Sequence, residues 1–133
     1  MNKEEGKMQK EEVADLRVRT KEFALRIIRM YSTLPKTTEA QVIGKQVLRS
    51  GTSVGANYRE AYRSRSKAEF IAKVGDSLRE IEETGYWFEL LVESGIVAAE
   101  KLSPLQIECG ELTAIFISTM RKAKSNQDRG TAI

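Results

Sequence analysis

The positively charged residues of the second predicted helix are the side chains with the clearest potential chemistry. At 100° per residue, four cations fall on one arc of this helix, nearly opposite its apolar line. They are Lys45, Arg49, Arg59 and Arg63, and Arg65 and Lys67 extend the charge into the following loop. Cations spaced by whole turns can follow a nucleic-acid backbone, so we predict that these six residues contact phosphates of RNA or DNA. A solvated helix face and a contact with an acidic protein are the other interpretations.

The formal net charge of +3 hides a strong local asymmetry. Residues 36–67 hold 7 basic and 2 acidic side chains, whereas residues 68–104 hold 3 basic and 8 acidic ones. The acidic stripe of the third helix consists of Glu69, Asp76, Glu80 and Glu83. In an oligomer this stripe could meet the basic arc of a neighbouring subunit, and that contact would use the cations proposed for nucleic acid.

The sequence offers no recognisable catalytic group. The 133 residues contain no histidine, which removes the commonest acid–base group near neutral pH and the commonest metal ligand. Cys109 lies on an apolar helix line, where a buried structural thiol is expected, and the serines have no histidine base. The segment from Gly51 to Gly55 lacks the Gly-Lys-Ser/Thr of a phosphate loop. We therefore expect no enzyme, cofactor, metal or small-molecule substrate.

Apolar residues at alternating spacings of three and four predict four amphipathic helices. The first is clear from Thr20 and stops at Pro35, and residues 11–19 before it fit either a helix or a strand. The other three begin at capping-box patterns, and the third ends at a glycine. The boundary residues are Thr38 and Gln41, then Ser66 and Glu69 with Gly95, then Ser103 and Gln106 with Pro104 in the first helical position.

Four such helices with short connections predict an all-α fold, an antiparallel up-and-down four-helix bundle. We place the bundle at residues 13–125 and flexible tails at residues 1–12 and 126–133. The single cysteine and the absence of an apolar run of about 20 residues predict a cytoplasmic protein that does not enter a membrane.

Polar side chains on one flank of the second helix border its predicted core. They are Ser50, Ser53, Asn57 and Glu60. We predict structural roles for Ser53, Asn57 and Glu60, with Asn57 and Glu60 hydrogen-bonded to another helix. A binding surface is the alternative interpretation of the same flank.

Two further features predict an oligomer. Gly44, Gly51 and Gly55 share the other flank of the second helix, where each glycine costs about 1 kcal/mol relative to alanine unless a neighbour packs closely. Trp87 and Leu90 fall on the outer face of the third helix. We predict subunit contacts at Gly51, Gly55, Trp87 and Leu90. Packing within the bundle is the alternative for the glycines, and cover by a helix end or tail is the alternative for Trp87 and Leu90.

Several segments resemble a known family. They are residues 48–57 (LRSGTSVGAN), Glu60-Ala61, residues 66–70 (SKAEF), Glu80 and residues 83–87 (ETGYW). Over about residues 16–124 the chain resembles the bacterial four-helix-bundle proteins encoded by intervening sequences in 23S ribosomal RNA genes, and it is similar to accessory proteins of diversity-generating retroelements. Many relatives read Asn-Ile-Ala-Glu-Gly where this chain has residues 57–61, so Arg59 adds positive charge here.

The resemblance implies a ring-like homopentamer and nucleic-acid binding through basic surfaces, and it supplies no catalytic residues. Our leading prediction is a non-enzymatic oligomeric protein that binds RNA or DNA through the basic surface of its second helix. The rival prediction is a structural assembly or protein-partner adaptor in which the same cations hold subunits together.

Overall fold

A computed structural model describes residues 3–131 of the chain, with side-chain environments for residues 16–126. The helices are α1 (Lys3–Ser32), α2 (Thr38–Tyr62), α3 (Lys67–Glu93) and α4 (Ala99–Thr131). The described residues contain no strand, so the predicted all-α class is confirmed. Residues 1, 2, 132 and 133 of the predicted tails lie outside the described residues.

Contacts between consecutive helices show that each helix runs opposite to the one before it. In every pair, the residue numbers fall along one helix as they rise along the next. The contacts are Tyr31–Gly44 and Thr20–Gly55 for α1 and α2, Thr84–Ser50 and Ser77–Val54 for α2 and α3, and Gly75–Met120 and Gly85–Cys109 for α3 and α4. The arrangement is therefore the predicted up-and-down bundle.

Aromatic side chains from all four helices meet in the core. Phe23 of α1 packs edge-on against Phe88 of α3, with ring centroids 6.4 Å apart. Tyr58 of α2 packs in the same way against Phe116 of α4 at 5.9 Å. All four rings are buried, and such pairs contribute about 0.5–1.5 kcal/mol beyond the burial of their area. These contacts link the two diagonal helix pairs of the bundle, α1 with α3 and α2 with α4.

An ion pair joins α1 to α4, which have the most limited contact of the four neighbouring helix pairs. Arg19 donates from Nε to Glu108 at 3.0 Å and from Nη2 to Glu111 at 2.8 Å, and Nη2 also contacts the second oxygen of Glu108. The hydrogen bonds from Arg19 lower the pKa of Glu108 below its usual value. Because this pKa is lowered by folding, the pair stabilises the protein above the unfolded-state pKa, and its contribution is lost as the pH falls through the folded-state pKa.

Two helices are longer than the sequence pattern indicated. α1 begins at Lys3, so residues 11–19 are helical and the predicted boundary at residue 12 is not a helix end. α4 begins at Ala99 and continues to Thr131, past the predicted boundary at residue 125. Adding a residue to an existing helix is far easier than nucleating one, and the polar ends are rich in good helix formers. Whether these ends are flexible stays a prediction.

The predicted caps are right for α3 and wrong for α2 and α4. The Ser66 hydroxyl accepts from the Glu69 N–H at 3.1 Å, and Gly95 after α3 has a φ of 79°. For α2 the N-cap is Thr37 rather than Thr38.

Side-chain contacts explain both errors. Gln41 donates to the Pro35 carbonyl at 2.8 Å and accepts from the Tyr31 hydroxyl at 3.0 Å, so it does not complete the expected box. α4 starts before Pro104 because the turn ahead of the proline carries Leu102, which is fully buried. Burial of that leucine favours the extra turn.

The glycines of α2 pack against α1, and the prediction of a subunit contact at Gly51 and Gly55 is therefore wrong. Both residues are buried within the chain. A Cβ on Gly51 would clash with Ile27, and one on Gly55 would lie 3.0 Å from the Thr20 hydroxyl. The alternative interpretation, close packing inside the bundle, is the correct one. Glycine fits these positions because side-chain atoms of α1 occupy the space that a Cβ would take.

Replacing Gly51 by alanine tests this close approach. We expect Gly51→Ala to be less stable than Gly110→Ala by about 1–3 kcal/mol, because alanine at position 51 overpacks the fully buried Ile27 side chain. Gly110 is the matched control, since it is also helical but has open space where a Cβ would lie. Urea denaturation measures both free energies of unfolding, and equal values would contradict the packing role.

Candidate nucleic-acid interface

The predicted basic arc does not form one continuous free surface. Arg49 donates to Glu80 of α3 at 3.4 Å and also pairs with Glu83. Its side chain is 51% exposed, so the pair lies at the solvent boundary of the α2–α3 seam. Arg49 and part of the acidic stripe therefore neutralise each other within one chain. Because these charges are paired within one chain, they do not require opposite charges from a neighbouring subunit.

Four of the other predicted cations lie together at one end of the bundle. Arg59 and Arg63 are at the carboxyl end of α2, Arg65 is in the α2–α3 loop, and Lys67 begins α3. All four are exposed and form no ion pair with the described part of the chain. Lys45 is also exposed, but it lies near the opposite end of α2.

The α2–α3 loop holds this charge in a defined position. At the end of α2, the backbone N–H groups of Arg63 and Ser64 donate to carbonyls in the last helical turn. On the other side, the backbone N–H of Arg65 donates to the Glu69 carboxylate at 3.2 Å, and Ser66 caps α3. Both sides of the loop are thus hydrogen-bonded to a helix. The cations project from a fixed backbone, which reduces the entropy cost of binding.

A cleft of about 770 Å³ opens beside this loop and is called the terminal cleft below. Apolar side chains from all four helices contribute to its wall: Leu16, Tyr58, Phe70 and Ile115. Arg65 and Lys67 line it from one side, and Lys122 of α4 lines it from another. Among the described residues that line the cleft, none carries a carboxylate. We use the term basic end for Arg59, Arg63, Arg65, Lys67 and Lys122.

Lys122 is the functional candidate that the sequence did not single out. It is exposed and lies more than fifty positions along the chain from Lys67, so the local charge pattern gives no reason to group the two. The antiparallel arrangement of α3 and α4 brings the end of α4 beside the start of α3. The pairing of Gly75 with Met120 establishes that register.

Arg17 and Tyr58 add to the chemistry of the same end of the bundle. The Arg17 guanidinium stacks 4.0 Å from the centroid of the Tyr62 ring. This contact holds an additional positive charge near the carboxyl end of α2. Burial raises the pKa of Tyr58, so its phenol stays neutral at physiological pH.

Two residues of the predicted polar flank form direct side-chain links to α3: Glu60, and Ser50, which is described below. Glu60 accepts from Lys73 of α3 at 2.8 Å, as its predicted role requires. Ser53 instead donates to the Arg49 carbonyl of its own helix at 2.7 Å. Asn57 makes no side-chain hydrogen bond within the described residues, so the prediction of a bond from it to another helix is wrong. Its side chain is half-buried.

Buried hydroxyls also link α2 to α3, and two of them, those of Ser77 and Thr84, were not predicted from the sequence. The hydroxyls of Ser50 and Thr84 are 2.8 Å apart across the α2–α3 seam, and Ser77 donates to the Val54 carbonyl at 3.0 Å. All three hydroxyl-bearing residues are fully buried. Ser77 and Thr84 leave α3 at an angle close to its apolar line. This angle was the sequence signal that could have predicted their burial.

Trp87 and Leu90 are not fully outward-facing. Both are half-buried, and Trp87 packs against the hydrophobic core. The neighbouring Tyr86 is the exposed aromatic residue, at 52%, and its ring packs edge-on against Trp87. A shift of one residue turns the side chain by 100°, so Tyr86 is more exposed than Trp87 on this side of α3. The prediction that Trp87 and Leu90 form subunit contacts is left untested by a single chain.

Cys109 has the environment of a structural thiol. It is buried and donates to the Ile81 carbonyl at 3.4 Å. Desolvation raises its pKa to about 11, so the thiol is protonated at neutral pH and is a poor nucleophile. Within residues 3–131, no helix has both the length and the apolar character needed to cross a membrane.

The Arg49 ion pairs can be tested by a double-mutant cycle. We expect Arg49→Gln to cost about 0.2–1 kcal/mol in the parent and nothing further in a Glu80→Gln/Glu83→Gln background, because the charges are partly exposed. Lys45→Gln is the matched control on the same arc and should leave stability unchanged in both backgrounds. Equal costs of Arg49→Gln with and without the two glutamates would exclude the pairing.

Comparisons with known proteins agree with this architecture. The model for the 23S rRNA-intervening sequence protein family matches residues 14–118. A crystal structure of a protein with unknown function from the S23 ribosomal protein family of Bacteroides thetaiotaomicron is 37% identical, with a TM-score of 0.77. The match covers 82% of this chain and 97% of that one. No curated protein matches the chain significantly. The chain belongs to the 23S rRNA-intervening sequence protein family.

Proposed function

We propose that this protein is a non-enzymatic, oligomeric RNA- or DNA-binding protein of the cytoplasm, with the basic end as its contact surface. The observation that carries the proposal is the group of exposed cations at the basic end, of which Arg65, Lys67 and Lys122 line the terminal cleft. Arg59, Arg63, Arg65, Lys67 and Lys122 have no ion-pair partner in the described part of the chain. Their charge is therefore available to an external anion.

Phosphate is the group that such a surface recognises best. Arginine presents a planar fork of donors and lysine a compact charge, and both bind phosphate without reading the base. Binding through the basic end is thus weakly sequence-specific and falls steeply with salt, because each neutralised phosphate releases counterions. In a ring of identical subunits, the same few cations recur and avidity strengthens a weak contact. RNA is the first nucleic acid to test, since the family name refers to ribosomal RNA.

A specific observation also supports the rival function, a structural assembly or protein-partner adaptor. Large apolar side chains are exposed on all four helices. Val18 is 58% exposed, Val42 57%, Tyr86 52% and Ile107 61%. Such side chains gain most from a protein partner or a second subunit. Tyr86 and Ile107 do not line the terminal cleft, so both kinds of contact are compatible with one molecule.

Removing two cations from the basic end tests the proposed function. We expect Arg63→Gln/Arg65→Gln to weaken binding of mixed-sequence single-stranded RNA. The slope of log affinity against log salt should also become shallower by about 1.4, or about 0.7 for each lost phosphate contact on a single strand. Fluorescence anisotropy at several salt concentrations gives both quantities.

Lys36→Gln/Lys101→Gln is the matched control, because it removes the same charge from exposed positions just before α2 and in the first turn of α4, at the opposite end of the bundle. It should keep the parental salt slope. An equal loss of RNA affinity in both double variants would show that binding depends on net charge alone and not on the basic end. No binding by the parent at low salt would reject the function, and loss of assembly in the first variant would favour the rival.

The oligomeric state has its own test. We expect light scattering at micromolar concentration to give about five times the 15.0 kDa chain mass, the pentamer that the family resemblance implies. Tyr86→Ser should lower that mass, because it removes an exposed aromatic ring, whereas Arg79→Ser on the same helix should leave it unchanged. A monomeric parent would refute the oligomer, and a dimer would refute the pentamer.

A further inference from the structure

The terminal cleft has an apolar wall as well as its cationic residues, and phosphate binding alone does not require the apolar wall. Phe70 and Ile115 are half-buried, so part of each side chain is open to the cleft, and the buried Leu16 and Tyr58 close its wall behind them. A solvated phosphate gains nothing from this apolar wall. A flat, weakly polar group does gain from it, and stacking of a nucleobase on an aromatic side chain contributes about 1–3 kcal/mol.

The polar groups around the wall suit the same ligand. Arg65, Lys67 and Lys122 supply positive charge from two sides of the cleft. Ser118 and Asn126 also line it and make no side-chain hydrogen bond within the described residues, so they are available to the edge of a base. A volume of about 770 Å³ is within the range of small-ligand sites and leaves room for a base with its sugar.

A second cleft provides an internal comparison. It lies between α3 and α4, has a volume of about 530 Å³, and is lined by Glu82, Glu89 and the exposed Tyr86. Its two carboxylates repel a phosphate backbone, although it also offers an aromatic ring. Of the two described clefts, the terminal cleft alone combines an aromatic wall with a cationic rim.

We infer that the terminal cleft binds an unpaired nucleobase of a single strand, with the flanking phosphates on Arg65, Lys67 and Lys122. This inference rests on the proposed function and specifies its ligand. A base inside a duplex is stacked and paired on both sides, so it cannot enter a cleft of this kind without being extruded. The protein therefore prefers single-stranded RNA or DNA to the corresponding duplex, and Phe70 is the residue that produces the preference.

The test compares one labelled mixed-sequence RNA strand with the same strand paired to its complement. We expect Phe70→Leu to weaken binding of the single strand at least about fivefold and binding of the duplex less than twofold, because leucine keeps the apolar bulk and removes the ring. Phe70→Tyr keeps the ring and should retain the parental preference. Thermal unfolding checks that each variant is folded.

A second measurement does not depend on the folding of any variant. A single strand containing 4-thiouridine is cross-linked to the parent protein by light, and the modified peptides are identified by mass spectrometry. Cross-links within residues 64–70 or 115–126 support the inference, and cross-links confined to other segments overturn it. A parent that binds strand and duplex equally also overturns it, while the proposed function stands. A parent that binds neither probe rejects both.

Discussion

The close packing of α2 between α1 and α3 is the constraint on which the rest of this structure depends. Toward α1, the helix presents Gly44, Gly51 and Gly55, and the side chains of α1 occupy the space where their Cβ atoms would lie. Toward α3, it presents Ser50, whose hydroxyl bonds to that of Thr84. Small residues on both flanks bring three helices together around a core of interlocked aromatic rings.

This packing determines which charges of α2 are available. With both flanks in contact with neighbours, only the outer arc carries long cationic side chains. Arg49 lies near the middle of the helix, where α3 runs alongside, and the carboxylates of Glu80 and Glu83 are within reach. At the end of α2, the side chains of Arg59 and Arg63 form no ion pair with the described part of the chain, since Glu60 is paired with Lys73 of α3. The basic end is thus a consequence of helix geometry as much as of composition.

The same end of the bundle is where the four helices contribute to one cleft. α1 and α4 have only limited contact, and the Arg19–Glu108 pair is their main polar link. An apolar wall therefore remains accessible beside a hydrogen-bonded loop that carries Arg65. A surface of this type has the elements of single-strand recognition, with charge for the backbone and an aromatic ring for the base. The exposed Tyr86 and Ile107 lie elsewhere and leave room for assembly contacts.

How far the sequence alone predicts this protein differs between fold and site. The alternation of three and four specified four helices, and Ser66 and Gly95 marked the ends of α3, because caps and periodicity are local properties. The ends of α1 and α4 were not predictable from caps, since propagation and the burial of Leu102 outweighed the local signals. The absence of histidine excluded the common catalytic arrangements at once.

Tertiary structure decided the partners of the individual side chains. Periodicity gives the angle at which a residue leaves its helix, but it does not say whether the facing surface belongs to the same chain or to another. For that reason Gly51 was assigned to a subunit contact although it faces α1, and Arg49 was counted as free although α3 neutralises it. For the same reason Lys122 could not be grouped with Lys67. Only the antiparallel register of α3 and α4 brings those two charges to the same cleft.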